Sequence, residues 1–428
     1  MKKTIKIFSP FNESFDIYYG RKKMNIFILG NGFDLHHSLP TSYMNFLNTV
    51  KFLVDNYEKD TMKSVGNVFS SKKLQETDSS ISESYSLYNK IYDDIPLNES
   101  QASIMIMMAK TNIWFKYFTQ CVNKNFGWID LEKEIAFVID TFRLAFEKIS
   151  PKFGLKHIMP EQNRMVVLKH FNFFYNAGPA NHYVGNPMEE AKTVKEKYCF
   201  ENHIGSNVIE VNKAAIVNDL YKSLQKCADI LKLYLTIFVE SLVIKMNDAQ
   251  ILPKKSIYEN GGRVITFNYT KTFEYLYATS DNVNHIHGSL DNNIVLGVNP
   301  DDFDELGYLD TLFIQFKKYY QRVFFKSDIP HLQMIKNIDL YKKYGGISLY
   351  IIGHSLDITD EDIIKEWILN AKEIKIFYHE ENAIGTYIKN LVSMFGKKDF
   401  DELRVNNSLQ FLPIPTLEWE RSPTNAKP

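Results

Sequence analysis

Two periods of apolar and polar positions divide the chain. Asn25 to Leu29 (NIFIL) is a short apolar run ending at Gly30, the pattern of a buried parallel strand entering a tight turn. From Thr41 to about Met246 the period lengthens. Ile104 to Phe118, Asp130 to Lys148 and Ala214 to Met246 carry apolar residues at helical spacing. Within this region Ser70 to Ser84, rich in Ser, Lys and Glu, and Asn176 to Lys197, punctuated by Gly, Pro and Asn, predict exposed loops. After Pro253 and the Gly261-Gly262 pair, strand-like runs resume at Val264 to Phe267, Val283 to His287 and Ile294 to Leu296. Ile347 to Ile352 and Ile374 to Tyr378 then flank a helical stretch over Asp360 to Asn370, a β-α-β unit.

Strands joined by helices predict an α/β fold with a doubly wound, mainly parallel sheet, interrupted by a large all-α insertion. The expected partition is an N-terminal extension (1–23), a discontinuous sheet domain (24–41 and 261–415), the helical insertion (42–260) and a flexible polar tail (416–428). Gly20-Arg21-Lys22-Lys23 can be encoded by a purine-rich run resembling a ribosome-binding site, so Met24 is the expected functional start.

Composition narrows the function classes. Across 428 residues, 45% hydrophobic and 24% charged is globular usage. A net charge of -1 gives no broad attraction for a polyanion, so nucleic acid is a disfavoured partner. Cys121, Cys199 and Cys227 are odd in number and widely spaced, which fits neither a disulfide framework nor a CxxC metal site, and points to the reducing cytoplasm. No run is long and apolar enough to span a membrane, because Lys232, Glu240 and Lys245 interrupt Ile230 to Met246.

Four polar turns sit at expected strand ends, where a doubly wound sheet binds its ligands. Gly30-Asn31-Gly32-Phe33-Asp34 is either a turn or a loop whose backbone N–H groups approach a phosphate. Thr266-Phe267-Asn268-Tyr269-Thr270 offers an uncharged amide for a ribose hydroxyl or a water, unless Asn268 is a helix cap. His285-Ile286-His287-Gly288 alternates so that both imidazoles share a face, as proton acceptors or as packing residues. Gly353-His354-Ser355-Leu356-Asp357 ends a further strand, and its glycine and hydroxyl can contact a phosphate or ribose. A metal on His285 and His287 needs at least a third ligand, for which only Asp34 or His36 are plausible donors, and no metal is expected.

These motifs resemble the AbiH family of bacteriophage abortive infection proteins: GNGFDLHHSLPTSY (Gly30 to Tyr43), TFNYTKTFE (Thr266 to Glu274), HIHGSL (His285 to Leu290) and IIGHSLDITDED (Ile351 to Asp362). Their order is also similar to a remote sirtuin-like fold. That resemblance aligns Gly30, Gly32 and Pro40 with a GAG loop, Thr266 and Asn268 with a TQN motif, His287 and Gly288 with a strand ending in HG, and Gly353, Ser355 and Leu356 with GTSL. It implies Asn268 and His287 as catalytic residues for NAD cleavage. It also implies Gly30, Asn31, Gly32, Phe33, Asp34, Thr266, Gly353 and Ser355 as nucleotide contacts. Asp34 stands where sirtuins carry serine, Ser38 where a glycine precedes the apolar-proline pair, and Thr270 where they carry aspartate. No cysteine quartet for structural zinc exists, which argues against protein deacylation. Trp128, Asp130 and Glu132 (GWIDLEKE) resemble a further family segment but read equally as a helix start, and no catalytic role is assigned to them.

The expected function is therefore a phage-defence effector that binds NAD or a related nucleotide and cleaves its nicotinamide-ribose bond. The alternatives are a non-catalytic nucleotide-binding phage sensor and a metal-dependent nuclease or phosphoesterase. Expected partners are the nucleotide, a phage-derived trigger and further copies of the chain, with no membrane.

Overall fold

The computed structural model describes residues 6–8, 14–16, 23–124, 129–147, 162–172, 174–177, 191–194, 198–200, 210–277, 283–298, 311–343, 345–406 and 409–425. Its centre is a six-stranded, wholly parallel sheet of β1 (Met24–Leu29), β2 (Arg263–Thr266), β3 (Val283–His285), β4 (Ile347–Ile352), β5 (Glu373–Tyr378) and β6 (Leu409–Pro413). In space the strands run β6-β5-β4-β1-β2-β3. The chain grows outward from β1 in one direction and then restarts with β4 on its other side. Strand order thus reverses between β1 and β4, the place where doubly wound sheets open a crevice. Register fixes that place: Leu29 pairs with Ile352 on one side and Thr266 on the other, so the three strands end level.

β1 is central because both of its faces are apolar. Ile26 and Ile28 join Ile351 and Trp367 in one core, while Phe27 and Leu29 join Ile352 and the helical region in another. The second core is continuous from the sheet to the insertion, so the helices pack as a layer on the sheet.

The helices of that layer are α2 (Tyr43–Asn56), α3 (Val65–Phe69), α4 (Lys72–Thr77), α5 (Ser79–Asp93), α6 (Glu99–Thr111), α7 (Ile113–Lys124), α8 (Leu131–Glu147), α9 (Gln162–Phe171), α10 (Lys213–Tyr234) and α11 (Ser241–Asp248); α1 (Asn31–His36) directly follows β1. Ser42 and Asn45 form a reciprocal capping box that starts α2, each side chain accepting from the other's backbone N–H (3.1 and 3.0 Å). A π turn over Leu235–Glu240 links α10 to α11. Beyond β2 come α12 (Thr272–Tyr277), α13 (Lys318–Phe325), α14 (Ile329–Lys336), α15 (Ile338–Lys343), α16 (Glu361–Asn370) and α17 (Asn382–Asn406). No helix among the described residues is long and apolar enough to cross a membrane.

Several expectations need correction. Ser70 to Ser84 is largely helical, as α4 and the start of α5, because Leu74, Ile81 and Ser84 are buried against neighbouring helices. The Asn176 to Lys197 stretch is described only in part, and Phe174–Ala177 pairs there with Ala191–Val194 as an antiparallel hairpin. Ile294 to Leu296 is not a strand: the Gln321 side chain bonds both the N–H and the C=O of Leu296 (3.0 and 2.9 Å), occupying the groups a strand partner would use. The tail through Asn425 folds back. Lys254 N–H donates to the Glu418 carbonyl (2.7 Å), Glu420 N–H to that of Leu252 (2.8 Å), and Trp419 lies edge-on to His37 and Tyr88. One large aromatic ring partly buried against the core outweighs the polar composition around it.

Candidate functional site

A cavity of about 390 Å³ opens at the carboxyl ends of β1, β2 and β4. The sequence turns named above meet there: Gly30, Asn31, Gly32, Asp34, Asn268, Thr270, His287, Gly353 and Ser355 all line it. The helical region closes the other side with Tyr43, Glu132, Leu231 and Leu235, the last opening the π turn.

The glycines are explained by close backbone approach. A methyl group on Gly30 would stand 2.6 Å from the His354 Cα, and one on Gly32 2.7 Å from the Gly353 Cα. Gly353 itself has φ +66°, and a methyl there would meet the Phe33 nitrogen at 2.0 Å. The two turns also bond directly, Gly32 N–H donating to the Gly353 carbonyl (2.8 Å). Phe33 turns its ring away from the cavity into a cluster with His37, Tyr258, Phe273 and Tyr277, so its side chain is core and not a ligand contact. Thr266 does not line the cavity either; its hydroxyl accepts from the Asn268 N–H (3.1 Å) and holds that turn.

Asp34 is 1% exposed. Its Oδ2 accepts a 2.5 Å hydrogen bond from Thr270, whose hydroxyl in turn accepts from Thr272 (3.2 Å), while Oδ1 has no hydrogen-bond partner among the described residues. Burial raises its pKa from 3.8 to about 6, opposed by the Thr270 hydrogen bond and by the nearby Thr272 hydroxyl and Asn268 amide.

The two histidines of HIHG do not share a face, because β3 ends at His285 and the turn to Gly288 follows. His285 points Nδ1 at the Asn268 carbonyl (2.9 Å) and Nε2 at Glu274 (2.6 Å). Both partners are acceptors, so both ring nitrogens carry protons and Glu274 raises the pKa against the effect of burial. His287 lies in the cavity wall instead. Burial lowers its pKa to about 4 despite the Asp360 carboxylate 3.2 Å from Nε2. The Phe267 ring stands edge-on between His287 and His354, at 5.0 and 4.4 Å. His354 Nδ1 accepts from the Leu356 N–H (2.9 Å), which leaves the proton on Nε2, 3.4 Å from Asp360.

Behind these rings runs a buried charge network that sequence reasoning missed. Lys318 Nζ, 2% exposed, contacts Asp360 at 2.9 Å and Glu132 at 2.8 Å. The ammonium outweighs burial and holds Asp360 well below the usual carboxylate range; the two carboxylates hold Lys318 above its ordinary value; burial keeps Glu132 raised. Glu132 had a visible signal in GWIDLEKE, although Trp128 lies outside the described residues. Lys318, in the run Lys317-Lys318-Tyr319, had none.

Asp34, His285 and His287 do not converge, and no set of three His, Cys, Asp or Glu side chains among the described residues could hold a metal ion. With both nitrogens already donating, His285 has no lone pair for one.

No curated protein and no solved structure matches this chain. A family model for bacteriophage abortive infection AbiH matches residues 26–379, which run from within β1 through the end of β5 and include every residue lining the cavity. The chain therefore belongs to the AbiH family, and its role lies in abortive infection of bacteriophage.

Proposed function

We propose that the cavity binds NAD or a related nucleotide and hydrolyses its nicotinamide-ribose bond, as the resemblance to sirtuin-like folds implies. The carrying observation is the meeting of Asn268 and His287 in one cavity where the strand order reverses. Its size falls within the usual range of small-ligand sites. In this reading the base-bearing ribose lies inside and the phosphates run out past Asn31 and Ser355, the exposed polar residues of the rim.

The charges suit that chemistry. Asp34, Glu132 and Asp360 line the cavity, and Lys318 pairs with Glu132 and Asp360. An acid-rich wall favours a cationic pyridinium and the oxocarbenium-like ribose formed as it leaves. Neutral His287 accepts a hydrogen bond from a ribose hydroxyl, and the Asn268 amide orients the ribose. The C1′–N bond breaks with its electron pair going to the ring, which leaves as neutral nicotinamide, and water supplies the new oxygen on C1′.

Purified protein incubated with NAD, alone and in lysate of phage-infected cells, should release nicotinamide detectable by chromatography. Asn268→Ala and His287→Ala should each reduce kcat by roughly a hundred-fold to ten-thousand-fold while keeping the wild-type melting temperature. Wild-type protein that leaves NAD intact in both settings would sink this reading and favour nucleotide binding without turnover.

A further inference from the structure

We infer that Asp34 is the general base of the site, taking a proton from the attacking water through its Oδ1 atom. This rests on the hydrolytic reading above and adds the group which that reading leaves open. The geometry separates the two oxygens of one carboxylate. Oδ2 is fixed by the Thr270 hydroxyl, itself held by Thr272, so the side chain cannot rotate without breaking that chain of hydrogen bonds. Oδ1 is buried with no hydrogen-bond partner among the described residues, in a residue that lines the cavity. A buried carboxylate oxygen without a donor is costly, and such exceptions mark places where a ligand or a reacting group completes the shell. A water entering the cavity supplies that donor.

Other candidates for the base are already committed. His285 is doubly protonated between Glu274 and the Asn268 carbonyl. Asp360 is neutralised by Lys318, and Glu132 shares the same ammonium. His287 is backed by Asp360 and resists protonation through burial. In the step itself, water oxygen bonds to C1′ as the C1′–N bond breaks, one water proton passes to Asp34 Oδ1, and the ring departs neutral.

Burial supports the assignment, since a carboxylic acid with pKa near 6 is a far better proton acceptor than an exposed aspartate and is still ionised at neutral pH. The titratable groups around it are Glu274 on α12, whose charge pushes it further up, and across the cavity Glu132 on α8, Tyr43 on α2, and His287, His354 and Asp360 in the turns. A base must be deprotonated to act, so kcat/KM for NAD falls as pH drops through about 6.

The test is the pH profile of nicotinamide release by wild-type, D34N and T270V proteins. The amide that D34N introduces keeps an oxygen for Thr270 to bond, so this variant should melt no lower than wild type. Its kcat should fall at least a hundred-fold with KM within threefold, and the acidic limb should vanish. T270V keeps the carboxylate but removes the donor that favours its charged form, so it should keep activity at high pH with the limb moved upward. Active wild type with D34N within threefold of it, or an unchanged acidic limb in D34N, overturns the role of Asp34 alone. Wild-type protein that releases no nicotinamide overturns the reaction, and with it this role.

Discussion

Asp34 also sets a stability cost that can be read without a substrate. Its proton is held more tightly in the folded than in the unfolded chain, because burial raises the pKa from 3.8 to about 6. That contribution is complete below about pH 3.8 and is lost as pH rises through about 6. At about 1.4 kcal/mol per pKa unit, the ionised carboxylate costs the fold about 3 kcal/mol at neutral pH. D34N, which carries no charge, should therefore be more stable than wild type by about 2 to 3 kcal/mol at pH 7, with the difference gone near pH 3.5. Urea denaturation at the two pH values checks this; equal stability at both would mean that Asp34 is well solvated. Gly30 and Gly32 show a different lesson at the same scale. The glycines that suggested a phosphate loop are required by the backbone of residues 353 and 354 lying against them, whatever the ligand.

Elements differed in how plainly they could be read. β1 and β4 are nearly continuous apolar runs because both faces of a central parallel strand are buried, and β5 keeps buried Ile374, Ile376 and Phe377 around the half-buried Lys375, patterns that survive in one dimension. α8 and α10 carry an apolar stripe at helical spacing and are legible for the same reason. β6 was missed because its burial is only partial at an edge, and α13 because its buried face consists of Lys318, Gln321 and Arg322. Those polar side chains pair with groups far along the chain: Glu132 and Asp360, the Leu296 backbone, and Asp362. No local pattern announces a burial that depends on distant charges. The turns of the cavity were legible as motifs, the first of them reaching Tyr43, but the rest of its roof was not, since Leu231 and Leu235 look like ordinary helix residues. The network between roof and floor is asymmetric in its energetics. Lys318→Met strands the buried Asp360 carboxylate beside the half-buried Glu132 and should destabilise the protein by about 3 kcal/mol. Glu132→Gln leaves the Lys318–Asp360 pair whole and should cost about 1 kcal/mol or less. If chemical denaturation gives the two variants equal losses, the ammonium is not the common anchor.

For the molecule as a whole, the sheet ties together residues from both ends of the matched region, with β1 pairing to β2 at Arg263 and to β4 at Ile347. This makes assembly a matter of time during synthesis. β1 is made first but cannot meet β4 until more than three hundred further residues have been added, which at roughly 5 to 20 residues per second takes roughly 15 to 60 s. Until then the edge of the six-residue strand MNIFIL that faces β4 is unpaired. A chain ended at Gly346 should accordingly stay sensitive to protease at β1, whereas the full chain protects it; protection in the shortened chain would show that β1 folds with the helical layer alone. The consequence for the cavity is a built-in delay. Gly353, His354 and Asp360 belong to the cavity wall, so a ribosome-bound fragment that lacks them carries no complete site. Under the proposed hydrolysis, a partly made or prematurely terminated copy would therefore leave NAD intact.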